Sequence, residues 1–376
     1  MENFTIAISE KAINDLNLRL SQTRWPDEIK DSDWQYGANL SYVKELCAYW
    51  EDEYDWRKQE ANLNLLHHFR TEIDGLGIHF LYEKGKGEKS IPLLLIHGWP
   101  DSFLRFQKII PLLTQADSDG FSFDLVIPSI PGFGFSDRPD LQGMNAEKIA
   151  DIFSKLMIDL GYSEFAIQGG DWGSSISEKL AQFHKSQILG VHLTDIPYTH
   201  LFDIPSEELT KEEEEYLEAG KKWQMENGAY AMIQATKPQT LSYGLNDSPA
   251  GLAAWIIEKF QQWSDNNGNP EEQFTKDELL TNISLYWFTQ TGGSAARIYY
   301  ENLHTSSESS KEKLETPTAV AIFPKDLITS PRAFGERIFN IKSWNIMPRG
   351  GHFAAMEEPD LLADDIRNFF KNLDQI

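Results

Sequence analysis

The sequence is poor in cysteine and in basic residues. Its one cysteine, Cys47, excludes an internal disulfide and any multi-cysteine zinc site, and fits a reducing compartment. Lysine and arginine total 34 against 58 acidic residues, which gives a formal net charge of −24. Because an acidic surface repels phosphate backbones and anionic lipids, neither nucleic acid nor a membrane surface is expected as a partner.

Long apolar runs are also missing from the sequence. The first ten residues carry neither the basic nor the apolar segment of a secretory signal peptide. The strongest apolar run, residues 91–96, is far too short to cross a bilayer. The sequence therefore predicts a soluble, cytoplasmic protein without a membrane anchor, and its hydrophobic content of 41% predicts a sizeable core.

Residues 1–90 show helical patterns and many aromatic side chains. Apolar residues recur at helical spacing over 9–20, and residues 42–56 indicate a second helix that is rich in tyrosine and tryptophan. The apolar residues of 63–69 are interpreted as a further helical face. The sequence therefore predicts an N-terminal helical region that ends near residue 90.

From residue 91 to residue 200, short apolar strands alternate with helices. The pattern predicts strands over 93–96, 124–130, 164–168 and 189–193, and helices over 102–113, 145–160 and 172–184. This alternation is typical of a mostly parallel sheet that is flanked by helices on both faces.

The alternation stops over residues 201–315, where helical patterns occur without a convincing strand. Within this segment, the four glutamates 212–215 are interpreted as a solvated helix face, and 305–313 as an exposed connection. The strand pattern resumes over 316–376, with strands at 318–323 and 343–347 and a closing helix at 360–373. The sequence therefore predicts a helical cap inserted between two parts of one α/β core.

Several common cofactor motifs are absent. The glycines and lysines of 85–89 lack Walker A spacing, residues 132–134 lack the third glycine of a dinucleotide motif, and no HExxH occurs. The pair His67-His68 is assigned to a helix of the core or surface rather than to a metal site. No metal and no organic cofactor is therefore expected.

The segment Gly169-Gly170-Asp171-Trp172-Gly173 follows a predicted strand and opens a predicted helix. It has the form of a nucleophile elbow, with an aspartate where esterases carry a serine. The sharp turn of an elbow needs small neighbours and exposes its nucleophile at the carboxyl end of the sheet. The segment alone leaves a simple helix N-cap as the alternative role for Asp171.

Three further segments favour the nucleophile. His97-Gly98-Trp99-Pro100 follows the strand 93–96, where the backbone N–H groups of Trp99 and Trp172 would together form an oxyanion hole. His352 lies in a glycine-rich loop after the last predicted strand, and Asp326 lies just after the penultimate one. The order nucleophile, acid, histidine is that of a hydrolase triad.

With these motifs the chain resembles the epoxide hydrolases of the α/β-hydrolase fold, in their microsomal and juvenile-hormone branch. The resemblance runs nearly end to end, over the tryptophan-rich N-terminal region, HGWP (97–100), GGDWG (169–173), the helical cap and RGGHF (349–353). It implies an α/β-hydrolase fold with a cap and an N-terminal extension. It also implies two cap tyrosines that protonate the epoxide, which match Tyr230 and Tyr299, with Tyr300 as the alternative if the register slips by one.

The resemblance implies hydrolysis of small lipophilic epoxides to vicinal diols, a detoxification reaction. Asp171 would form a covalent ester, and His352, oriented by Asp326, would activate water to hydrolyse it. A haloalkane dehalogenase is one alternative, although Trp99 stands where such enzymes often carry a halide-binding amide. The other alternative is a catalytically silent binding protein, and a homo-oligomer remains open.

Overall fold

The computed structural model describes residues 1–201, 209–305 and 312–373. Its strands are β1 (Glu2–Asn3), β2 (His68–Ile73), β3 (Leu76–Glu83), β4 (Lys89–Ile96), β5 (Phe121–Pro128), β6 (Phe165–Gly169), β7 (Ile188–Leu193), β8 (Pro317–Ile322) and β9 (Asn340–Ile346). Within the described residues they form one nine-stranded sheet in the order β1-β2-β3-β5-β4-β6-β7-β8-β9.

The six strands from β5 to β9 in this order are parallel, whereas β1, β2 and β3 pair in antiparallel fashion. The predicted mostly parallel sheet is thus confirmed. The strands of a parallel sheet are buried on both faces, which explains the unbroken apolar run at the end of β4. Its last four residues, 93–96, are fully buried.

The N-terminal 90 residues are not only helical, contrary to the expectation from sequence. Helices α1 (Glu10–Ser21), α2 (Leu40–Asp52) and α3 (Trp56–Leu63) are present, but residues 68–83 form the hairpin of β2 and β3. Asp74 and Gly75 at its turn both have positive φ, as a tight Asp-Gly hairpin requires. His68 therefore lies in a strand, where its buried Nδ1 is 2.9 Å from His79 Nε2.

Four helices cover the sheet in the first part of the core and in its C-terminal part: α4 (Ile110–Thr114), α5 (Ala146–Asp159), α6 (Trp172–Phe183) and α15 (Pro359–Lys371). The predicted single helix over 102–113 is wrong, since the chain forms a 3-10 turn at Phe103–Phe106 before α4 begins. Pro111 has no N–H to donate, so a helix accommodates it only in its first turn.

The described part of the cap, 209–305, consists of helices and their connections and contains no strand. It comprises α7 (Lys211–Asn227), α8 (Ala229–Thr236), α9 (Pro238–Asp247), α10 (Pro249–Trp263), α11 (Lys276–Thr289) and α12 (Gly292–His304). Residues 306–311 of the predicted connection lie outside the described residues. Among the described helices, none is both long and apolar enough to cross a membrane.

One glutamate of the run 212–215 departs from the predicted solvated face. Glu213 is fully buried, and its carboxylate accepts a hydrogen bond from Arg337 Nη2 at 2.9 Å. Arg337 lies on α13 (Arg332–Ile338), which is followed after β9 by the short helix α14 (Ala354–Glu357). Glu213 can be buried because the guanidinium of Arg337 neutralises its charge. The pair also joins the cap to the core.

Candidate active site

Asp171 lies at the sharp turn between β6 and α6. It has a φ of 58° and a ψ of −125°, a strained combination that is rare for a residue with a side chain. Gly98 and Gly173 allow the chain to pass closely here. A Cβ on Gly98 would lie 2.3 Å from Asp171 Oδ1, and one on Gly173 would lie 2.1 Å from the carbonyl oxygen of Ile96. This is the geometry of a nucleophile elbow.

The carboxylate of Asp171 is buried and is held by backbone donors. The N–H of Trp99 donates to Asp171 Oδ1 at 2.9 Å, and the N–H of Trp172 also contacts the carboxylate. Asp171 occupies the N-cap position of α6, but its side chain makes no capping hydrogen bond to that helix. The two tryptophan amides predicted for an oxyanion hole therefore converge on the carboxyl group of Asp171.

His352 follows β9 and lies between the carboxyl groups of Asp326 and Asp171. Its Nδ1 donates to Asp326 Oδ1 at 2.7 Å, and its Nε2 lies 3.6 Å from Asp171 Oδ2. The ring is 2% exposed, and Nε2 has no hydrogen-bond partner among the described residues. Asp326 thus orients the imidazole ring through Nδ1, and Nε2 faces the carboxylate of Asp171.

The charges of this group shift the pKa values of its members. Burial alone would lower the pKa of His352, but the carboxylates of Asp326 and Asp171 outweigh burial and raise it to about 9. Burial raises the pKa of Asp171, although His352 and the amides of Trp99 and Trp172 oppose this. At neutral pH the imidazolium is therefore stabilised by two flanking carboxylates.

The predicted tyrosines Tyr230 and Tyr299 approach the same carboxyl group from the cap. They lie on α8 and α12, their ring centroids are 6.0 Å apart, and each phenol influences the pKa of the other. Trp99 stacks on Tyr230 at 5.1 Å, and Trp172 meets the edge of Tyr299 at 4.9 Å. Burial raises the pKa of both phenols well above the ordinary value, so both stay protonated.

Tyr300, the alternative in the adjacent register, points elsewhere. Its ring stacks on His304 at 4.0 Å and lines a separate cleft of about 420 Å³ that does not include Asp171. A cavity of about 250 Å³ contains Asp171, Tyr230 and Tyr299 together. Most of its remaining wall is apolar and comes from Trp172, Trp223, Met232, Ala235, Leu303 and Leu327.

A buried ion pair that sequence reasoning missed supports the loops of the site. Arg105 Nη1 lies 2.8 Å from Asp101 Oδ2, and both side chains are almost fully buried. Asp101 accepts the N–H of Gly98 at 3.0 Å, and Arg105 donates to the carbonyl oxygen of His352. The pair therefore joins the HGWP loop to the histidine loop. The spacing of four residues between Asp101 and Arg105 is visible in the sequence, but their burial is not.

A second missed residue is Lys259 on α10. Its Nζ lies 4.7 Å from the ring centroid of Tyr230 and within 6 Å of the rings of Trp255 and Trp263. The side chain is only 5% exposed, and Glu258 forms an ion pair with it. A cation over an aromatic face is attractive, so Lys259 helps to fix the ring of Tyr230.

The chain matches two family models. The model described as "Epoxide hydrolase N terminus" covers residues 1–106, and the model described as "alpha/beta hydrolase fold" covers residues 91–359. Together these matches include the predicted elbow, the acid and the histidine loop. The second model alone accounts for more than half of the chain.

Relatives extend the match to nearly the full length. "Epoxide hydrolase 1" from Sus scrofa is 41% identical over 99% of this chain and 89% of the relative. "Juvenile hormone epoxide hydrolase 2" from Ctenocephalides felis is 38% identical over 97% of this chain and 84% of the relative. The crystal structure of juvenile hormone epoxide hydrolase from the silkworm Bombyx mori superposes with a TM-score of 0.88 at 32% identity, covering 100% of this chain and 94% of that one. The chain therefore belongs to the epoxide hydrolase family of the α/β-hydrolase fold.

Proposed function

We propose that this protein hydrolyses lipophilic epoxides to vicinal diols through a covalent ester on Asp171. One observation carries the proposal: the carboxylate of Asp171 faces the phenols of Tyr230 and Tyr299 across an apolar cavity and lies 3.6 Å from His352. An epoxide has no carbonyl to polarise, so its opening needs a nucleophile on carbon and an acid on oxygen. Asp171 and the tyrosines supply these two groups.

In the first step a carboxylate oxygen of Asp171 attacks an epoxide carbon, and the strained carbon–oxygen bond breaks. Oδ1 already accepts the amide of Trp99, so Oδ2 is the oxygen that attacks. The departing oxygen takes a proton from Tyr230 or Tyr299, which hold it between them. The products are a hydroxyalkyl ester and one tyrosinate.

Formation of the ester changes the charge around His352. In the free protein Asp171 and Asp326 both raise the pKa of His352. Once Asp171 is esterified its negative charge is gone, so the pKa of His352 falls and the ring becomes a base. The imidazolium gives up its proton, and a proton that passes through solvent converts the tyrosinate back to a phenol.

In the second step neutral His352 takes a proton from water, and the hydroxide attacks the ester carbonyl of Asp171. The carbonyl oxygen is Oδ1, and the amides of Trp99 and Trp172 stabilise the oxyanion that forms on it. Collapse of the intermediate expels the alkoxide, which takes the proton of the attacking oxygen, so that the diol leaves, Asp171 is again a carboxylate and His352 is again the imidazolium of the free protein. Asp326 keeps the imidazole oriented and stabilises its charge.

The cavity indicates the kind of epoxide. Its volume of about 250 Å³ and its wall of tryptophan, methionine and leucine side chains suit a compact, uncharged and lipophilic molecule. The net charge of −24 disfavours anionic substrates. We place the activity in the removal of reactive epoxides in the cytoplasm, in keeping with the single, buried Cys47.

Diol formation from styrene-, fatty- and terpene-type epoxides tests the proposal, with halide release from haloalkanes measured in parallel. We expect diol from at least one compact epoxide and no halide, with Asp171→Ala as the inactive control. Halide release without diol would favour a dehalogenase. Binding of epoxides without either product would indicate a silent binding protein.

A further inference from the structure

The turn 195–198, which follows β7, contacts both acids of the site. Asp195 lies 24 residues after Asp171 in sequence, and both of its carboxylate oxygens accept the backbone N–H of Asp171 at 2.9 Å. Ser174 donates its hydroxyl to Asp195 at 2.7 Å. Asp195 is 4% exposed, and the reaction proposed above does not use it.

Tyr198 lies at the other end of the same turn. Its phenol donates to Asp326 Oδ1 at 3.2 Å, and its side chain forms part of the wall of the substrate cavity. The same Oδ1 also accepts His352 Nδ1 and the N–H of Leu327, each at 2.7 Å. Three donors therefore share one oxygen of Asp326.

We propose that Asp195 and Tyr198 are positioning residues for the two half-reactions, Asp195 for formation of the ester and Tyr198 for its hydrolysis. The inference rests on the proposed function, since it assigns one residue to each step of that reaction. Neither side chain touches the reacting atoms in this scheme. Asp195 acts through the backbone of Asp171, and Tyr198 acts through the carboxylate of Asp326.

The role of Asp195 follows from the conformation of Asp171. A non-glycine residue at a φ of 58° persists only where its surroundings hold it in place. The carboxyl of Asp195 pairs the N–H of Asp171 and so fixes the direction in which that side chain projects. Burial and the charge of Asp326 raise the pKa of Asp195 to about 7. A neutral carboxyl group keeps its carbonyl oxygen, so Asp195 accepts this hydrogen bond in either protonation state.

The role of Tyr198 follows from the sharing of Asp326 Oδ1. A donor on this oxygen reduces the negative charge that faces the imidazole of His352. Removing the phenol therefore strengthens the hold of Asp326 on the imidazolium and raises the pKa of His352. The charged groups that act on this ring are Asp326, Asp171, Asp195 and Arg105, and Glu357 of α14 accepts the N–H groups of Gly351 and Phe353 on either side of it.

Rapid-quench kinetics of the full chain with styrene oxide separate the two steps. Asp195→Ala should form the ester on the order of tenfold more slowly, because a buried N–H loses its partner. Asp195→Asn keeps an acceptor and should form the ester at close to the wild-type rate. Asp195→Ser, whose shorter side chain also fails to reach, replaces the alanine variant if that variant does not fold.

Tyr198→Phe keeps an aromatic ring in the cavity wall and should affect ester hydrolysis more than ester formation. The acidic limb of its ester-hydrolysis profile should move up by roughly half a pH unit. Tyr54→Phe is the matched control, because Tyr54 is a buried phenol that is hydrogen-bonded to Thr281 at 3.1 Å and has Asp277 and Asp55, not the acids of the site, as its charged neighbours, and it should show no shift.

The role of Asp195, the role of Tyr198 and the proposed reaction can each be refuted by a different result. Wild-type rates in Asp195→Ala or Asp195→Ser, or equal slowing in Asp195→Asn, would overturn the role of Asp195. An unshifted limb in Tyr198→Phe, or the same shift in Tyr54→Phe, would overturn that of Tyr198. A wild-type protein that forms no ester on Asp171 would overturn the proposed function and this inference together.

Discussion

His352 Nε2 lies 3.6 Å from Asp171 Oδ2, too far for a strong hydrogen bond and close enough for opposite charges to stabilise each other. Nε2 of His352 has no hydrogen-bond partner among the described residues, so it is free to bind a water molecule beside the carboxyl group of Asp171. In the proposed mechanism, this nitrogen activates the water molecule that attacks the ester of Asp171.

Asp171→Ala should abolish turnover, because no carboxylate remains to form the ester. A single turnover of the wild-type protein in ¹⁸O-labelled water should place the label in the carboxyl group of Asp171, which mass spectrometry of the peptide detects. Label that enters only the diol would show that water attacks the epoxide directly.

Single Tyr230→Phe and Tyr299→Phe changes should each slow ester formation on the order of tenfold, since one phenol remains to protonate the oxygen. The double variant should lose much more than the product of the two single effects, because both phenols serve one atom. Stopped-flow measurement of tryptophan fluorescence follows this step. Tyr300→Phe is the control, and a larger effect there than in Tyr299→Phe would contradict the assigned register.

The pH dependence follows from the charge of His352. In the free protein the pKa of His352 is raised to about 9, and it should fall once the ester removes the charge of Asp171. Ester hydrolysis should slow as the pH drops, since imidazolium cannot accept a proton from water, and the esterified fraction should rise. The limb of that profile should lie below the resting pKa measured by NMR. A limb at or above the resting value would refute the charge argument.

The Asp101–Arg105 pair should matter for stability. Arg105→Met leaves the carboxylate of Asp101 buried without its cation, which costs on the order of 3–5 kcal/mol in free energy of unfolding. Asp101→Asn combined with Arg105→Met should recover part of this loss, because no unpaired charge remains. Urea unfolding measures both, and equal losses in the two variants would contradict the ion-pair explanation.

Local patterns were sufficient to predict the strands that carry the site and the candidate site residues that follow their carboxyl ends. Trp99, Asp171 and Asp326 each follow a short apolar run, and parallel strands bring such ends together at one edge. The register at Tyr299 came from the resemblance to a family rather than from spacing, and the structure places that side chain in the cavity with Asp171.

The errors and omissions had different causes. The hairpin at Asp74-Gly75 carried a local turn signal that the helical interpretation of 63–69 overlooked. The buried Glu213 contacts Arg337, which lies 124 positions away in sequence, and Tyr198 contacts Asp326, which lies 128 positions away. Such contacts depend on how the cap and the turns meet the core, which periodicity along one segment does not encode.

The covalent ester on Asp171 is the central claim, and intact mass measurement of His352→Gln after brief exposure to an epoxide tests it most directly. Ring opening does not need the imidazole, so this variant should gain the mass of one substrate molecule, located by peptide mapping on the segment that contains Asp171. Asp326→Asn should show the same adduct at lower occupancy, because its imidazole is present but poorly oriented. A folded His352→Gln protein that binds the epoxide and gains no mass would contradict the account.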